Sequence, residues 1–103
     1  KVLMLEDYNI ILEDYNKAIS LQPGLLFGYF NRACIYLKIK KFDLAIADLD
    51  KAIELEPEFA EAYYNRGLTR ILMDDTASGA LDLSKAGELG LVEAYSIIKR
   101  YCN

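Results

Sequence analysis

A ten-residue segment of this chain recurs at a fixed spacing of 34 residues. Residues 14–23 and 48–57 share Asp, Lys, Ala, Ile, Leu and Pro at matching positions, and residues 82–89 form a weaker third copy. The segment at residues 29–33, which precedes the second copy, recurs at residues 63–67 with the same period. A period of this length indicates one supersecondary unit stacked repeatedly, so it constrains the fold more than any other feature of the sequence.

The period is suited to a pair of antiparallel α-helices of about 12 to 14 residues each, joined by short turns. Ala45, Leu49 and Ala52 lie four and three residues apart, which places them on one side of a helix. Pro23 and Pro57 stand where a helix has to end, because proline lacks an amide donor and disfavours helical geometry in the preceding residue. The sequence therefore predicts an all-α fold of antiparallel helix pairs.

Six helices are expected, and the last is predicted to cap the stack. Their predicted ranges are residues 7–21, 25–39, 42–55, 59–72, 76–89 and 92–102, after the stub of a preceding helix at residues 1–5. The capping helix would cover the end of the stack with Tyr95, Ile98 and Cys102. Asp75 is a candidate N-cap for the fifth helix. Gly79 and Gly87 should weaken that helix by about 1 kcal/mol each relative to Ala.

Eight positions carry a resemblance to a known family. Tyr29, Ala33, Tyr36, Phe42, Ala45, Leu49, Ala52 and Pro57 follow the order of large, small and proline residues of the tetratricopeptide repeat. The following unit keeps Tyr63, Gly67, Leu83 and Ala86 but departs at Arg70, Thr76 and Gly79. The resemblance implies a right-handed superhelical solenoid of antiparallel helix pairs that serves as a protein-protein interaction scaffold.

The resemblance also divides the chain into parts. We expect one domain over residues 1–103, made of a partial repeat at 1–23, a full repeat at 26–59, a degenerate repeat at 60–91 and a capping helix at 92–103. The partial first unit and the terminal cap suggest a fragment from the carboxy-terminal end of a longer array. The apolar side of residues 8–21 would then be uncovered, which makes a homodimer through this helix one expectation.

The resemblance implies that a peptide or partner protein lies on the concave face, which the first helix of each pair lines. Helical spacing selects the candidate binding residues Phe27, Phe30, Asn31, Cys34 and Lys38, followed by Glu61, Tyr64, Asn65, Leu68 and Leu72. Asn31 and Asn65 hold equivalent positions, where their amides either pair with the backbone of an extended peptide or bond within the repeat. The aromatic rings among the ten either anchor a partner or pack against the adjacent helix.

The chemistry of these ten residues argues against one kind of ligand. Members of the family that clamp the C-terminal carboxylate of chaperones use Lys or Arg beside such asparagines. Here Phe27, Phe30, Glu61 and Tyr64 occupy the face, so a peptide with apolar or aromatic side chains suits it better. The alternative function is a structural spacer or self-association segment of a longer solenoid, with no ligand of its own.

The composition argues against catalysis, cofactors and nucleic acid. The chain has no histidine, the commonest general base, and its net charge of −4 disfavours phosphate polymers. Cys34 and Cys102 are too far apart to suggest a metal site, and no apolar run is long enough to cross a membrane. Asp14, Asp48 and Asp82 recur with the repeat, and we expect them on solvent-facing sides of their helices. The sequence therefore predicts a binding protein that is not an enzyme.

Overall fold

The computed structural model describes residues 2–101, which form six α-helices. These are α1 (Leu5–Leu21), α2 (Leu26–Lys38), α3 (Phe42–Leu55), α4 (Ala60–Leu72), α5 (Thr76–Glu88) and α6 (Glu93–Tyr101). Each boundary lies within two residues of its predicted position, and α3 matches at both ends. The prediction of an all-α helical repeat fold is confirmed.

The amino-terminal end differs from the prediction. Residues 2–4 are not helical, and Leu5 begins α1 itself, so the expected stub of a separate helix at residues 1–5 is wrong for the described part of that range. The cause is a local cap: the Asp7 carboxylate accepts a hydrogen bond of 2.9 Å from the Met4 backbone N–H. Lys1 and Cys102, the latter predicted for the capping stripe, lie outside the described residues.

The chain divides into two compact units between Leu55 and Glu56. In the first unit, α2 packs against both α1 and α3. In the second unit, α5 packs against both α4 and α6. Each unit therefore contains one complete pair of antiparallel helices and one additional helix, and the finer division into repeats stays a prediction.

The same turn closes three of the helices. Lys40, Asp74 and Gly90 follow α2, α4 and α5 with φ values of 62°, 64° and 111°. The N–H of the next residue then donates to a carbonyl five residues back, at 2.9 Å from Lys41 to Tyr36, 2.8 Å from Asp75 to Arg70 and 3.0 Å from Leu91 to Ala86. These bonds satisfy carbonyl groups that a helix end leaves without a partner.

Side-chain capping and a small apolar core define the second unit. The Asp75 carboxylate accepts a hydrogen bond of 3.4 Å from the Ser78 N–H, which confirms its predicted N-cap role. Leu83, Ala86 and Ala94 form a buried cluster. Within α6, Ala94 is the buried residue. Tyr95, which was predicted for the capping stripe, is exposed, although its ring lies against Gly87.

Candidate functional site

Five predicted binding residues lie on one side of α2, which we call the α2 face. The face consists of Phe27, Phe30, Asn31, Cys34 and Lys38. Phe27 is 59% exposed and Lys38 is exposed, whereas the other three are half-buried. Phe27 is one of several large apolar side chains that the described residues leave exposed. The α2 face therefore offers an apolar ring to solvent beside an amide and a thiol.

The other five residues lie on the corresponding side of α4, which we call the α4 face. Leu72 is 65% exposed and Glu61 is exposed, while Tyr64, Asn65 and Leu68 are half-buried. Tyr64 and Leu68 also pack against the buried cluster of the second unit. These two residues thus have a structural role in addition to any contact with a ligand.

An arginine holds α2 to both of its neighbours in the first unit. Arg32 donates to the two carboxylate oxygens of Asp48 on α3, at 2.8 Å from Nε and 2.7 Å from Nη2. Its Nη1 donates to Asn16 Oδ1 on α1 at 2.9 Å. The hydrogen bonds that Arg32 donates to the Asp48 carboxylate raise the pKa of Arg32, against the opposing effect of burial. The Tyr29 and Tyr36 rings lie 5.8 and 5.9 Å from the guanidinium, close enough for cation–π contacts.

The second unit repeats this pair and adds a second arginine. Arg66 donates to both oxygens of Asp82 at 2.9 and 2.8 Å, and its guanidinium lies 5.6 Å from the Tyr63 ring. Arg70 Nη1 donates to Asp82 Oδ2 at 2.7 Å. Arg70 holds the repeat position of Tyr36. The arginine that replaces the aromatic residue of the family pattern therefore adds an ion pair to the second unit.

The expectation that Asp14, Asp48 and Asp82 all face solvent is wrong for two of them. Asp48 is 4% exposed and Asp82 is 5% exposed, while Asp14 is exposed. A carboxylate is buried at low cost only when a cation and hydrogen bonds compensate it, as arginine does here. The sequence contained the signal, because Arg32 and Arg66 recur with the same period, each 16 residues before its aspartate.

Tyrosine hydroxyls attach the start of α2 and α4 to the preceding turns. Tyr29 Oη donates to the Pro23 carbonyl at 2.8 Å, and Tyr63 Oη donates to the Pro57 carbonyl at 2.9 Å. The proline ends one helix and its carbonyl orients the next, which explains why tyrosine and proline recur together. The α2 and α4 faces are thus carried by helices that are fixed at their amino-terminal ends.

The Cys34 thiol on the α2 face is half-buried. Burial raises the pKa of this thiol, and the neighbouring Lys38 ammonium partly opposes the rise. Since the thiolate is the nucleophilic form, a raised pKa slows reaction with alkylating agents. We therefore expect the Cys34 thiol to be a weaker nucleophile in the folded protein than in the unfolded chain.

This environment predicts slow and charge-sensitive alkylation of Cys34. In a Cys102→Ser background, we expect iodoacetamide to modify Cys34 several-fold more slowly in the folded protein than in urea, at about pH 8. Lys38→Met should slow the folded-state reaction further, because it removes the charge that lowers the pKa. Lys41→Met is the matched control. Mass spectrometry measures the rate of alkylation. Equal rates for Lys38→Met and Lys41→Met would contradict the influence of Lys38 on the pKa of the Cys34 thiol.

The described residues contain neither a metal-binding cluster nor a membrane-spanning helix. Within residues 2–101 no group of three or more His, Cys, Asp or Glu side chains is placed to hold a metal ion. In the same part of the chain, no helix is both long enough and apolar enough to cross a bilayer.

The tetratricopeptide repeat family model matches residues 27–59. A comparison with curated proteins finds no match. Among solved structures, the TPR2B domain of yeast Sti1, in a complex with pHsp70, is 30% identical, with a TM-score of 0.78 over 92% of this chain and 76% of that chain. The Arabidopsis OM64 TPR domain is 28% identical, with a TM-score of 0.87 over 93% of this chain and 81% of that chain.

A third structure is the first TPR of Spaghetti (RPAP3), bound to the HSP90 peptide SRMEEVD. It is 25% identical, with a TM-score of 0.88 over 94% of this chain and 79% of that chain. The 34-residue period, the helix pairs and these matches agree with one another. The chain therefore belongs to the tetratricopeptide-repeat family, whose fold mediates protein-protein interaction.

Proposed function

We propose that the chain binds a peptide or partner protein through the α2 and α4 faces and catalyses no reaction. The observation that carries the proposal is the exposure of Phe27 and Leu72 on the same sides of their helices as Asn31 and Asn65. Apolar anchors beside amide groups are suited to an extended chain, whose backbone needs donors and acceptors while its side chains need apolar contact. The complex of the similar Sti1 domain with pHsp70 and that of the first RPAP3 TPR with an HSP90 peptide support this role.

The charge of the two faces favours an apolar or aromatic peptide over an acidic one. The α4 face carries the Glu61 carboxylate and no lysine or arginine, and Lys38 is the single cation among the ten face residues. An acidic peptide such as SRMEEVD would bring its carboxylates towards Glu61 and towards Phe27 and Phe30 with little compensation. We therefore propose that the partner supplies aliphatic or aromatic side chains, while Asn31 and Asn65 contact its backbone.

Selection of peptides from a random library tests this function. We expect the selected peptides to be rich in aromatic and aliphatic residues, and Phe27→Ala to weaken their binding at least tenfold, as loss of an exposed anchor does. Leu44→Ala is the matched control, since Leu44 is an exposed apolar residue of α3 outside both faces. Titration followed by fluorescence anisotropy measures the affinities.

Three results would contradict the proposal in different ways. Equal losses for Phe27→Ala and Leu44→Ala would remove the α2 face from the site. Selected peptides that end in acidic residues, or tight binding of SRMEEVD, would show that the apolar class is wrong. If no peptide is selected, the chain acts as a structural segment with no ligand of its own.

A further inference from the structure

A carboxylate and an aromatic ring lie side by side near the start of α4. Glu61 and Tyr64 are three residues apart in this helix, which makes their side chains neighbours, with about 5 to 6 Å between their Cβ atoms. Glu61 is exposed and Tyr64 is half-buried, so both can be reached from solvent. We call these two residues the Glu–Tyr pair of the α4 face.

The polar groups of this pair have no partner in the part of the chain that the structure describes. Within residues 2–101, no lysine or arginine forms an ion pair with Glu61, and the Tyr64 hydroxyl makes no hydrogen bond. The nearby arginines of α4, Arg66 and Arg70, are both paired with Asp82. The Glu61 carboxylate is therefore available to a cation from another molecule.

The corresponding positions of α2 carry no charge. One repeat of 34 residues earlier, Phe27 stands in place of Glu61 and Phe30 in place of Tyr64. Each face thus has an aromatic ring at the second of the two positions, but the α4 face adds a carboxylate at the first. A side chain that is complementary to the α4 position therefore has to supply positive charge as well as apolar contact.

An arginine side chain is complementary to this pair in both respects. Its guanidinium can pair with the carboxylate and stack on the ring, while its apolar stem lies along Leu68, about 6 Å beyond Tyr64 on the helix axis. The second unit already contains this combination: Arg66 donates to both oxygens of Asp82 and lies 5.6 Å from the Tyr63 ring. Lysine has the charge but lacks the planar group that suits a carboxylate and a ring together.

We propose that the partner peptide places an arginine on the Glu–Tyr pair of the α4 face. The inference rests on the proposed function, since it names one side chain of the peptide that the two faces bind. The other anchors of the peptide remain apolar or aromatic, as the exposed Phe27 and Leu72 require. The peptide is therefore cationic at the position that contacts Glu61 and apolar at its neighbours.

Parallel selections from a random peptide library, against the wild type and against Glu61→Lys, test the arginine. We expect the peptides selected by the wild type to share an arginine at one position, beside aromatic and aliphatic residues. Glu61→Lys reverses the charge of the pair, so its peptides should be acidic or neutral at that position. The consensus peptide from the wild-type selection then serves as the probe for affinity measurements.

Titration of this peptide, followed by fluorescence anisotropy, measures the contribution of each group. Glu61→Gln should weaken binding about fivefold, and glutamine in place of the peptide arginine about tenfold, because that change also removes the contact with the Tyr64 ring. The two changes together should weaken binding by less than the product of the two factors. Glu88→Gln is the matched control, since it removes an exposed carboxylate of α5 outside both faces and should leave the affinity unchanged.

The possible outcomes separate this inference from the proposed function. Selected peptides without a shared arginine, or equal affinities for Glu61→Gln and Glu88→Gln, overturn the arginine site but leave peptide binding by the two faces intact. Urea unfolding tests a purely structural role: if Glu61→Gln lowers the free energy of unfolding and leaves the affinity unchanged, Glu61 only stabilises the start of α4, and the proposal is wrong. If no peptide is selected at all, the proposed function fails and the arginine site fails with it.

Discussion

Asp82→Ala is expected to lower the free energy of unfolding by about 3 kcal/mol. The Asp82 side chain is 7% exposed and accepts hydrogen bonds from Arg66 and Arg70, whose side chains are 16% and 28% exposed. Removing the carboxylate leaves two partly buried guanidinium groups close together without an anion. Because these groups retain some contact with water, the loss should lie at the lower end of the range for broken buried ion pairs.

Urea unfolding followed by circular dichroism measures this loss, and the chain contains its own control. Asp14 holds the same repeat position on α1 but is exposed, so Asp14→Ala should change the free energy of unfolding by no more than about 0.5 kcal/mol. The loss in the free energy of unfolding for Asp48→Ala should lie between the losses for Asp82→Ala and Asp14→Ala, because Arg32 keeps its hydrogen bond to Asn16. A loss for Asp82→Ala no larger than that for Asp14→Ala would show that the buried pair does not stabilise the fold.

The helices follow from local features of the sequence, whereas the burial of the two carboxylates depends on a contact between helices. The period predicts the helix pairs and the prolines predict where α1 and α3 end, and these are local properties of the chain. Hydrophobic patterning assigns every aspartate to the solvent, and it contains no information about a cation on another helix. Asp48 and Asp82 are buried only because Arg32 and Arg66 reach them across the helix pair. The recurrence of arginine and aspartate together was the available clue.

The candidate site shows the same division between local and tertiary information. Helical spacing predicts which side chains share a side of α2 or α4, since it depends only on 3.6 residues per turn. It does not predict how deeply each one is buried. Tyr64 and Leu68 are half-buried because they pack on Leu83, Ala86 and Ala94, which come from two other helices. Phe27 is exposed although Gly28, its neighbour in the first turn of α2, is buried, and helical spacing alone does not predict that difference.

Gly67→Ala is expected to lower the free energy of unfolding by about 2 kcal/mol, although alanine is the better helix former. Gly67 and Gly79 face each other where α4 and α5 pack, and a Cβ on Gly79 would lie 2.7 Å from the Gly67 carbonyl oxygen. The atoms in the way include backbone, which cannot rotate aside as a side chain does. Over-packing therefore outweighs the gain in helix propensity that Gly67→Ala would bring. At Gly79 the close contacts likewise outweigh the cost of about 1 kcal/mol that the sequence predicts for glycine relative to alanine.

Thermal or urea unfolding of three variants distinguishes packing from propensity. Gly24→Ala should be neutral or slightly stabilising, because nothing lies within 4 Å of its Cβ position and its φ is not positive. Gly67→Ala and Gly79→Ala should each be destabilising. The first unit has Ala33 and Ala45 at the two corresponding positions, both fully buried, so a helix pair of this family can accommodate two alanines. If Gly67→Ala stabilises the protein by about 1 kcal/mol, α4 and α5 can separate at no cost and the close approach is not required. If it destabilises the protein, the glycine pair determines the spacing of α4 and α5, and with it how firmly α4 holds the residues of its face.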